Sequence, residues 1–317
     1  MSDEGIALKL AKKRGRRLNK KSTWQLSLLA IPAVVITLVF SYLPMTGIIL
    51  AFKNFKASLG VFKSPWVGLK NFEFFFTSKD AWLVVRNTLG YNIAGIVIGT
   101  VLAVLFALLL NEIRNRKWIK FYQTVFFFPY FFSWVIVSYM VYTFMSGSPM
   151  GILVTLLHGI GIDISKFYLT PTYWPPFLVF LNVWKGLGYS AVIYYAAVLG
   201  LPADCFEAAV VDGASRWQTI RRVTLPLLVP LISILTLLSV GRIFYSDFGL
   251  YYFIPNQIKN LLSVTETIDT YVYKLLVTSP NIGMAAAAGF FQSIMGFVVV
   301  LTANFVVKKI NPENSIF

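Results

Sequence analysis

The fold is decided by residues 204–230, DCFEAAVVDGASRWQTIRRVTLPLLVP, a polar segment that lies between two long apolar runs. Asp204 and Glu207 stand in the Asp-x-x-Glu spacing that is typical of a helix N-terminus, where one side chain accepts hydrogen bonds from backbone N–H groups and the other reaches back. The spacing therefore predicts that a helix begins at Asp204.

The predicted helix is amphipathic. Phe206, Val210, Trp217 and Ile220 recur at intervals that bring them to one face of a helix, while polar side chains lie elsewhere. Its middle consists of small residues, at which another protein could approach the backbone closely: Ala208, Ala209, Gly213 and Ala214. Gly213 also weakens the helix and permits a bend. The pattern predicts a helical segment, residues 204–222, that docks against a partner.

Three short motifs follow one another in this segment. Glu207-Ala208-Ala209 is followed by Gly213-Ala214 and then by Val223-Thr224-Leu225-Pro226, with Val223 where Ile is usual. Their order resembles the EAA signature of binding-protein-dependent ABC importer permeases. The resemblance implies a cytoplasmic coupling helix that sits in a cleft of the ATPase subunit and passes its closure to the membrane helices. The residues implied in coupling are Asp204, Glu207, Ala208, Ala209, Asp212, Gly213, Ala214 and Trp217. The alternative is a cytoplasmic loop that lies on the membrane surface.

The composition of the chain is that of a membrane protein. Of its 317 residues, 57% are hydrophobic and 13% are charged, and the mean hydropathy is +0.70, whereas a soluble domain carries roughly 25% charged residues. The single cysteine, Cys205, excludes an internal disulfide, and the single histidine, His158, excludes a histidine-based zinc site. No Gly-Lys dipeptide occurs, so the chain has no phosphate-binding P-loop of its own. We therefore do not expect an enzyme.

Six apolar runs are each near or above the roughly 20 residues that a helix needs to cross a bilayer. They are residues 24–52, 87–110, 121–145, 173–199, 225–250 and 283–307. An all-α polytopic membrane protein with six transmembrane helices is therefore predicted. With the basic residues 1–23 inside, the inner segments carry 17 Lys and Arg against 8 in the outer loops, which predicts that both termini are cytoplasmic. The net charge of +15 is thus interpreted as an orientation signal beside anionic lipid and not as a nucleic-acid surface.

Residues 66–72, WVGLKNF, and the later Asn87-Thr88-Leu89 add two further motifs. They resemble the MalF-type sugar-importer permeases, in particular an LplB-like polysaccharide branch, and the resemblance covers most of the chain. It implies the type I ABC importer permease fold, in which residues 86–307 form a core of five transmembrane helices that includes the coupling helix. The other parts are a basic cytoplasmic tail (1–23), an extra first transmembrane helix (24–52), an external loop (53–85) and a cytoplasmic C-terminus (308–317).

Polar residues recur with one spacing in the fourth predicted span and again in the fifth. Both sets stand at positions zero, three, four and seven: Asn182, Lys185, Gly186 and Tyr189, and then Ser239, Arg242, Ile243 and Ser246. A Lys at mid-span costs roughly 2.5 to 3.5 kcal/mol on insertion scales, so Lys185 should face a cavity or a partner and not lipid. We expect the two helical faces to converge, with Arg242 in the outer half of its helix.

These eight positions fall where the MalF-type resemblance implies sugar-contacting residues. Lys185 and Arg242 are charged at positions that are uncharged in the maltose-binding member. From this difference we predict a cavity for an acidic, uronate-containing oligosaccharide, with Lys185 and Arg242 binding carboxylates, Tyr189 stacking on a sugar ring and Asn182 bonding hydroxyls. Two alternatives stay open. The cavity takes a neutral oligosaccharide, or the charges are structural, with Arg242 paired to Asp247 and Lys185 to an acid on a second permease subunit.

The resemblance also implies partners and a location. It implies a heterodimer with a second, related permease, a cytoplasmic ATPase dimer that binds ATP and Mg, and an extracytoplasmic solute-binding protein, all at a bacterial cytoplasmic membrane. No metal or cofactor is expected in the chain itself. Two other classes of membrane protein are alternatives. A secondary transporter or channel would show broken helices or buried acids along an ion path, and a membrane scaffold would not need Lys185 and Arg242 within its spans.

Overall fold

The computed structural model describes residues 20–73, 77–146, 151–159, 164–278 and 281–310. Within these residues all regular secondary structure is helical, apart from one isolated antiparallel bridge between Lys53 and Trp66. The predicted all-α class is therefore confirmed. Residues 1–19 of the predicted basic tail and residues 311–317 of the predicted C-terminal segment lie outside the described residues.

The helices that organise the fold are numbered here in chain order. They are α1 (Lys20–Thr37), α2 (Lys79–Glu112), α3 (Arg116–Phe127), α4 (Trp134–Met145), α5 (Ile152–Gly159), α6 (Trp174–Leu199), α7 (Ala203–Val211), α8 (Arg216–Thr219), α9 (Leu225–Val240), α10 (Phe248–Phe253), α11 (Ile268–Thr278) and α12 (Ile282–Ile310). Three of them continue in tighter or wider helical turns: α1 through Leu38–Tyr42 and Leu43–Phe52, α3 through Phe128–Phe131, and α8 through the π-helical turn Ile220–Thr224 into α9.

By length and apolar composition, five helical segments among the described residues can cross a bilayer, and a bent pair brings the number to six. The single segments are Ser27–Phe52, Lys79–Glu112, Pro171–Leu199, Arg216–Val240 and Ile282–Lys309. The bent pair is Arg116–Phe131 with Trp134–Met145, which meet at an angle of 97°. The chain turns at Phe132 and Ser133, which have extended backbone, and Pro129 lies in the short helical turn just before them. The predicted number of six spans is thus reached when the bent pair is counted as one span.

Two apolar clusters fix α2 and α6 relative to each other. In one, Tyr91 of α2 is buried with Trp174 and Leu178 near the start of α6. In the other, Ala107 of α2 packs with Tyr194 near the end of α6. A small residue at such a contact lets two membrane helices approach closely. The packing sets the positions of the two helices that line the site described below.

The first span packs along its second half. Leu43–Phe52 lies against α12, where the Phe52 and Phe290 rings contact at 5.7 Å between centroids. The first half is different, because Leu29 and Phe40 are 77% and 75% exposed. An exposed apolar helix of this length is suited to contact with lipid or with another membrane subunit.

The predicted fifth span, residues 225–250, is broken. α9 ends at Val240, the chain then runs through turns and extended backbone over residues 241–247, and α10 begins at Phe248. We call residues 241–247 the break. The expectation that Ser239, Arg242, Ile243 and Ser246 share one helical face was therefore wrong, because the helix ends between the first and second of them.

The break is stabilised by side chains from distant helices, which replace the helical hydrogen bonds that it lacks. Asn92 of α2 donates to the carbonyl groups of Ile243 and Tyr245, at 2.8 and 2.9 Å. Gln292 of α12 donates to the carbonyl of Phe244 at 2.7 Å. Buried backbone polar groups need such partners, so these side chains explain why an apolar sequence leaves the helical conformation at this point.

Candidate functional site

A cavity of about 410 Å³ lies between α2, α6 and the end of α9. We call it the central cavity. Four of the predicted contact residues line it, namely Asn182 and Tyr189 of α6 with Ser239 and Arg242. α2 contributes Asn92 and two glycines to the same wall. Two residues from each of the predicted polar sets therefore meet at one cavity.

Gly186 lines a second cavity, of about 140 Å³, that shares Asn182 and Gly95 with the central cavity. Gly95 of α2 faces the Asn182 side chain so closely that an added Cβ would lie 3.0 Å from its Nδ2 atom. A larger residue at position 95 would press on this amide, which is tighter than side chains usually pack. The glycine thus leaves room for Asn182 where the two cavities join.

Lys185 lies on an aromatic surface. Its Nζ atom lies 4.7 Å from the ring centroid of Trp134 and 5.9 Å from that of Tyr130. Both distances are within the range of cation–π attraction, which stabilises an ammonium group without neutralising it. The half-buried Lys185 is therefore held by the bend between α3 and α4 rather than by the wall of the central cavity.

Ile243 and Ser246 lie away from the central cavity. The Ile243 side chain is buried in an apolar cluster with Val84 and Ile268. Ser246 bonds the Asp269 carboxylate twice, through its backbone N–H at 2.7 Å and its hydroxyl at 2.8 Å. Both residues fix the break to its surroundings, so their positions are structural in this arrangement.

Lys185 and Arg242 have no acidic partner in the part of the chain that the structure describes. The pairs within 4.0 Å are Arg216 with Glu112 and Lys274 with Glu266. The alternative pairing of Arg242 with Asp247 is not formed, because Asp247 accepts from the Trp134 indole N–H at 2.6 Å and caps the N-terminus of α10. Nor do three His, Cys, Asp or Glu side chains come together to hold a metal ion within the described ranges.

Two residues of this region were not predicted from the sequence. Tyr130, after Pro129 at the bend, stacks on Tyr189 with ring centroids 5.0 Å apart and planes 11° from parallel. Asn92 lines the central cavity and binds the break. An amide in the middle of an apolar run is itself a signal, because such groups are costly in a membrane unless bonded, and it could have identified Asn92.

The predicted coupling helix begins one residue earlier than expected and is capped differently. α7 starts at Ala203 after Pro202, with Asp204 in its first turn and no side-chain cap. The reciprocal capping box lies instead at Ser215 and Gln218: the Ser215 hydroxyl accepts from the Gln218 N–H, and the Gln218 side chain accepts from the Ser215 N–H at 2.7 Å. The prediction of a capping box at Asp204 was wrong because the helix had already begun.

The segment 204–222 is two helices and not one. α7 ends in a Schellman motif, in which the Gly213 N–H donates to the Val210 carbonyl and the Ala214 N–H donates to the Ala209 carbonyl. Gly213 has a φ of +71°, a left-handed conformation that glycine adopts at low cost. Gly213 was predicted to permit a bend, and in the structure the helix ends there.

The predicted shared apolar face of this segment is split by the helix end. Val210 and Trp217 are exposed at 74% and 67%, whereas Ala209 is buried. Asp204, Glu207, Ala208, Asp212 and Gly213 are also exposed, and Ala214 is half-buried. The turn between α7 and α8 borders a groove of about 640 Å³ whose wall includes Ala208, Asp212, Gly213 and Gln218. We call it the coupling groove.

One family of known proteins matches most of the chain. Residues 95–312 match the family described as "binding-protein-dependent transport system inner membrane component". Among curated proteins of Bacillus subtilis (strain 168), protein LplB is 32% identical, with 93% of this chain and 91% of LplB covered. The polygalacturonan/rhamnogalacturonan transport system permease protein YteP is 33% identical, with 95% and 94% covered.

Two solved structures share the fold. One is the crystal structure of a bacterial ABC transporter involved in the import of the acidic polysaccharide alginate, with a TM-score of 0.82, 32% identity, and coverage of 92% of this chain and 97% of that chain. The other is a bacterial alginate ABC transporter in complex with an alginate pentasaccharide-bound periplasmic protein, with a TM-score of 0.82, 31% identity, and coverage of 92% and 96%.

Proposed function

The chain belongs to the family of binding-protein-dependent transport system inner membrane components, and from this premise we propose that it imports acidic, uronate-containing oligosaccharides. It is a permease subunit of a sugar or polysaccharide ABC importer and not an enzyme. The family predicted from the EAA signature is thereby confirmed. The acidity of the substrate is the proposed step.

One observation carries the proposal. Arg242 lines the central cavity, and no acid among the described residues neutralises it. Arg242 is exposed there, and a carboxylate that enters the cavity can pair with its guanidinium group through two parallel hydrogen bonds. An oligosaccharide with uronate carboxylates supplies the missing partner, whereas a neutral one does not.

Relatives support the same substrate class. YteP is named as a polygalacturonan/rhamnogalacturonan transport system permease, and the matching solved transporters import alginate, an acidic polysaccharide. These are the substrates of YteP and of the alginate transporters. Their shared acidity agrees with the cation in the central cavity of this chain.

Other residues fit supporting roles in the proposed site. Tyr189 is 47% exposed and stacked on Tyr130, so it can offer one ring face to a sugar. Asn182 can bond hydroxyl groups at the junction of the two cavities. Lys185 is a second proposed carboxylate contact, reached over the aromatic surface of the bend. Ile243 and Ser246 act in this proposal by holding the break.

The proposed transport cycle is alternating access driven by partner subunits. A solute-binding protein delivers the oligosaccharide, an ATPase dimer with ATP and Mg closes, and the α7–α8 segment transmits this motion to α9. The 2.9 Å ion pair between Arg216 of α8 and Glu112 of α2 joins that segment to a second cavity-lining helix. A second permease subunit completes the passage, and both termini lie in the cytoplasm in the predicted orientation.

Arg242→Gln tests the proposed substrate. In vesicles that contain the assembled importer, uptake is measured for a uronate oligosaccharide and for its carboxyl-reduced counterpart, both preloaded on the same solute-binding protein. We expect uronate uptake to fall at least about tenfold and neutral uptake to change little, because a hydrogen bond to a charged group is worth about 1.5–3 kcal/mol. Lys185→Gln is measured in parallel to assess the second cation.

A matched control is Arg86→Gln, which removes an arginine of the same helical bundle. Arg86 bonds Asn87 and the Ser263 carbonyl and lines a different groove. Its loss should leave the ratio of uronate to neutral uptake at the wild-type value. Equal losses for both sugars in Arg242→Gln would reject an acidic substrate. So would an unmutated importer that transports the carboxyl-reduced sugar and not the uronate sugar.

A further inference from the structure

Asn92 contacts both the central cavity and the break that carries Arg242. It lies in the middle of α2 and lines the central cavity. Its Nδ2 atom donates to the carbonyl oxygens of Ile243 and Tyr245, at 2.8 and 2.9 Å. These two residues flank Phe244, and the first of them directly follows Arg242 in the chain. A single side chain thus joins α2 to the backbone beside the cavity cation.

The amide group of Asn92 has one acceptor left over. A carboxamide carries two N–H donors and one carbonyl oxygen. Both donors are used on the break, and no donor among the described residues bonds Oδ1. Asn92 is half-buried, with its exposed part in the cavity wall. Its oxygen is therefore an unused acceptor on a residue that lines the cavity.

Two other side chains from distant helices bond the backbone of the break, but from outside the cavity. Gln292 of α12 bonds the Phe244 carbonyl at 2.7 Å, and Asp269 of α11 bonds the backbone N–H of Ser246 at 2.7 Å. Neither of them lines the central cavity. Of the three, Asn92 is the one whose environment changes when a ligand occupies the cavity.

We propose that Asn92 is a specificity-determining residue of the substrate site. Its amide N–H groups hold the break so that Arg242 lines the cavity, and its amide oxygen accepts a hydrogen bond from a sugar hydroxyl. Asn92 is thus a positioning residue for Arg242 and a direct contact for the ligand. This inference rests on the proposed acidic substrate, since it concerns how that substrate is recognised.

Loss of the amide would act on an acidic sugar in two ways. The break would lose two of its tethers, so Arg242 would occupy the cavity wall less often. In addition, the carbonyl oxygens of Ile243 and Tyr245 would be released beside the cavity. These oxygens carry partial negative charge, which opposes a carboxylate and not a neutral ring. Both effects lower the preference for uronate sugars.

Asn92→Leu tests the inference in vesicles that contain the assembled importer. Initial uptake rates are compared for a uronate oligosaccharide and its carboxyl-reduced counterpart, both preloaded on the same solute-binding protein. Because the binding protein is constant, any change in the ratio of rates reports on the permease. We expect the ratio to fall by about tenfold, as for the loss of one charge-assisted contact. In Asn92→Leu/Arg242→Gln the ratio should fall by less than the product of the two single losses, because part of the Asn92 effect acts through Arg242.

Asn87→Leu is the matched control. Asn87 lies on the same helix and also donates to two carbonyl groups, those of Ser263 at 3.3 Å and Glu266 at 2.9 Å, but it lines another groove. If two lost tethers on α2 merely weaken the fold, both variants should lower both uptake rates equally. The inference requires that Asn87→Leu keep the wild-type ratio.

The outcomes separate this inference from the proposed substrate. A wild-type ratio in Asn92→Leu, together with a lowered ratio in Arg242→Gln, would overturn the role of Asn92 and leave the acidic substrate in place. If Asn92→Leu does not reach the membrane, Asn92→Ala, which introduces a smaller side chain, is measured in the same way. Absence of both variants from the membrane would also overturn the inference, because the residue would then be a requirement of folding.

Discussion

Replacing Gly213 by Leu is expected to abolish ATP-driven uptake while the protein stays folded in the membrane. Gly213 has a φ of +71°, and no atom lies within 4 Å of the position that a Cβ would take. An added Cβ atom there meets no clash, and the left-handed backbone costs a leucine only about 1–2 kcal/mol. The fold should therefore tolerate the change.

We expect Gly213→Leu to affect transport more than folding, because of the position of the new side chain. Gly213 lies in the wall of the coupling groove, between α7 and α8, where the ATPase is proposed to dock. A leucine would occupy space that a closely approaching partner needs. The loss of one central interface contact costs about 2 kcal/mol or more, so coupling should fall at least about thirtyfold. Uptake, ATP hydrolysis and the amount of membrane-inserted protein are measured together.

Gly60→Leu separates docking from backbone strain. Gly60 has nearly the same left-handed conformation, with a φ of +68°, and equally open surroundings, but it lies in the first loop region, before the second span. Both variants carry the same strain, so we expect Gly60→Leu to keep uptake near the wild-type rate. Full uptake in Gly213→Leu would argue against a coupling role, and equal losses in the two variants would assign the effect to strain.

The spans could be predicted from the sequence because the bilayer sets a length that composition alone reveals. Long apolar runs such as Lys79–Glu112 have no other stable environment. The break at 241–247 could not be predicted in this way, because the side chains that stabilise it, Asn92 and Gln292, are remote in sequence. Its own residues Ile243, Phe244 and Tyr245 read as a continuing apolar helix.

The same distinction explains which site residues the sequence located. α6 is an unbroken helix, so regular spacing correctly placed Asn182 and Tyr189 on the wall of one cavity. Beyond Val240 the spacing no longer applies, and it failed for Ile243 and Ser246. Periodicity predicts side-chain direction only within a continuous helix. Arg242 lines the cavity because Asn92 and Gln292 hold the backbone that follows it.

The coupling segment shows a local limit of the same kind. The Asp-x-x-Glu spacing at Asp204 and the Ser-x-x-Gln spacing at Ser215 are both capping signals. The prediction rested on the first alone, whereas the structure forms the second. The second is selected by Gly213, because a helix that ends in a left-handed residue must restart, and the restart requires its own cap.

Gly188→Ala is expected to destabilise the protein strongly, although the same change usually stabilises a helix. Gly188 lies in α6 where it crosses the bend region, and an added Cβ would lie 2.6 Å from the Phe127 Cα atom and closer still to the Phe126 carbonyl group. These are backbone atoms, which cannot move aside as a side chain can. The helices would have to separate, which would disturb the neighbouring stack of Tyr189 on Tyr130.

The sign of the effect follows from two competing magnitudes. Alanine in a helix interior is favoured over glycine by about 0.5–1 kcal/mol, while overpacking against fixed atoms costs about 1–3 kcal/mol and sometimes more. At Gly188 the second term dominates. Gly186, two residues earlier in α6, has no atom within 4 Å of its Cβ position, so only the first term acts there. Thermal inactivation of the purified importer measures both variants.

We therefore expect opposite outcomes from the same substitution at two positions of one helix. Gly188→Ala should lower the inactivation temperature and the yield of assembled importer, and Gly186→Ala should leave both unchanged or raise them. Transport is not the readout, because Gly186 lines a cavity of the proposed site. A Gly188→Ala protein as stable as Gly186→Ala would mean that α6 and the bend of the third span do not meet at backbone distance. The described packing of Tyr189 and Lys185 against the bend would then be wrong.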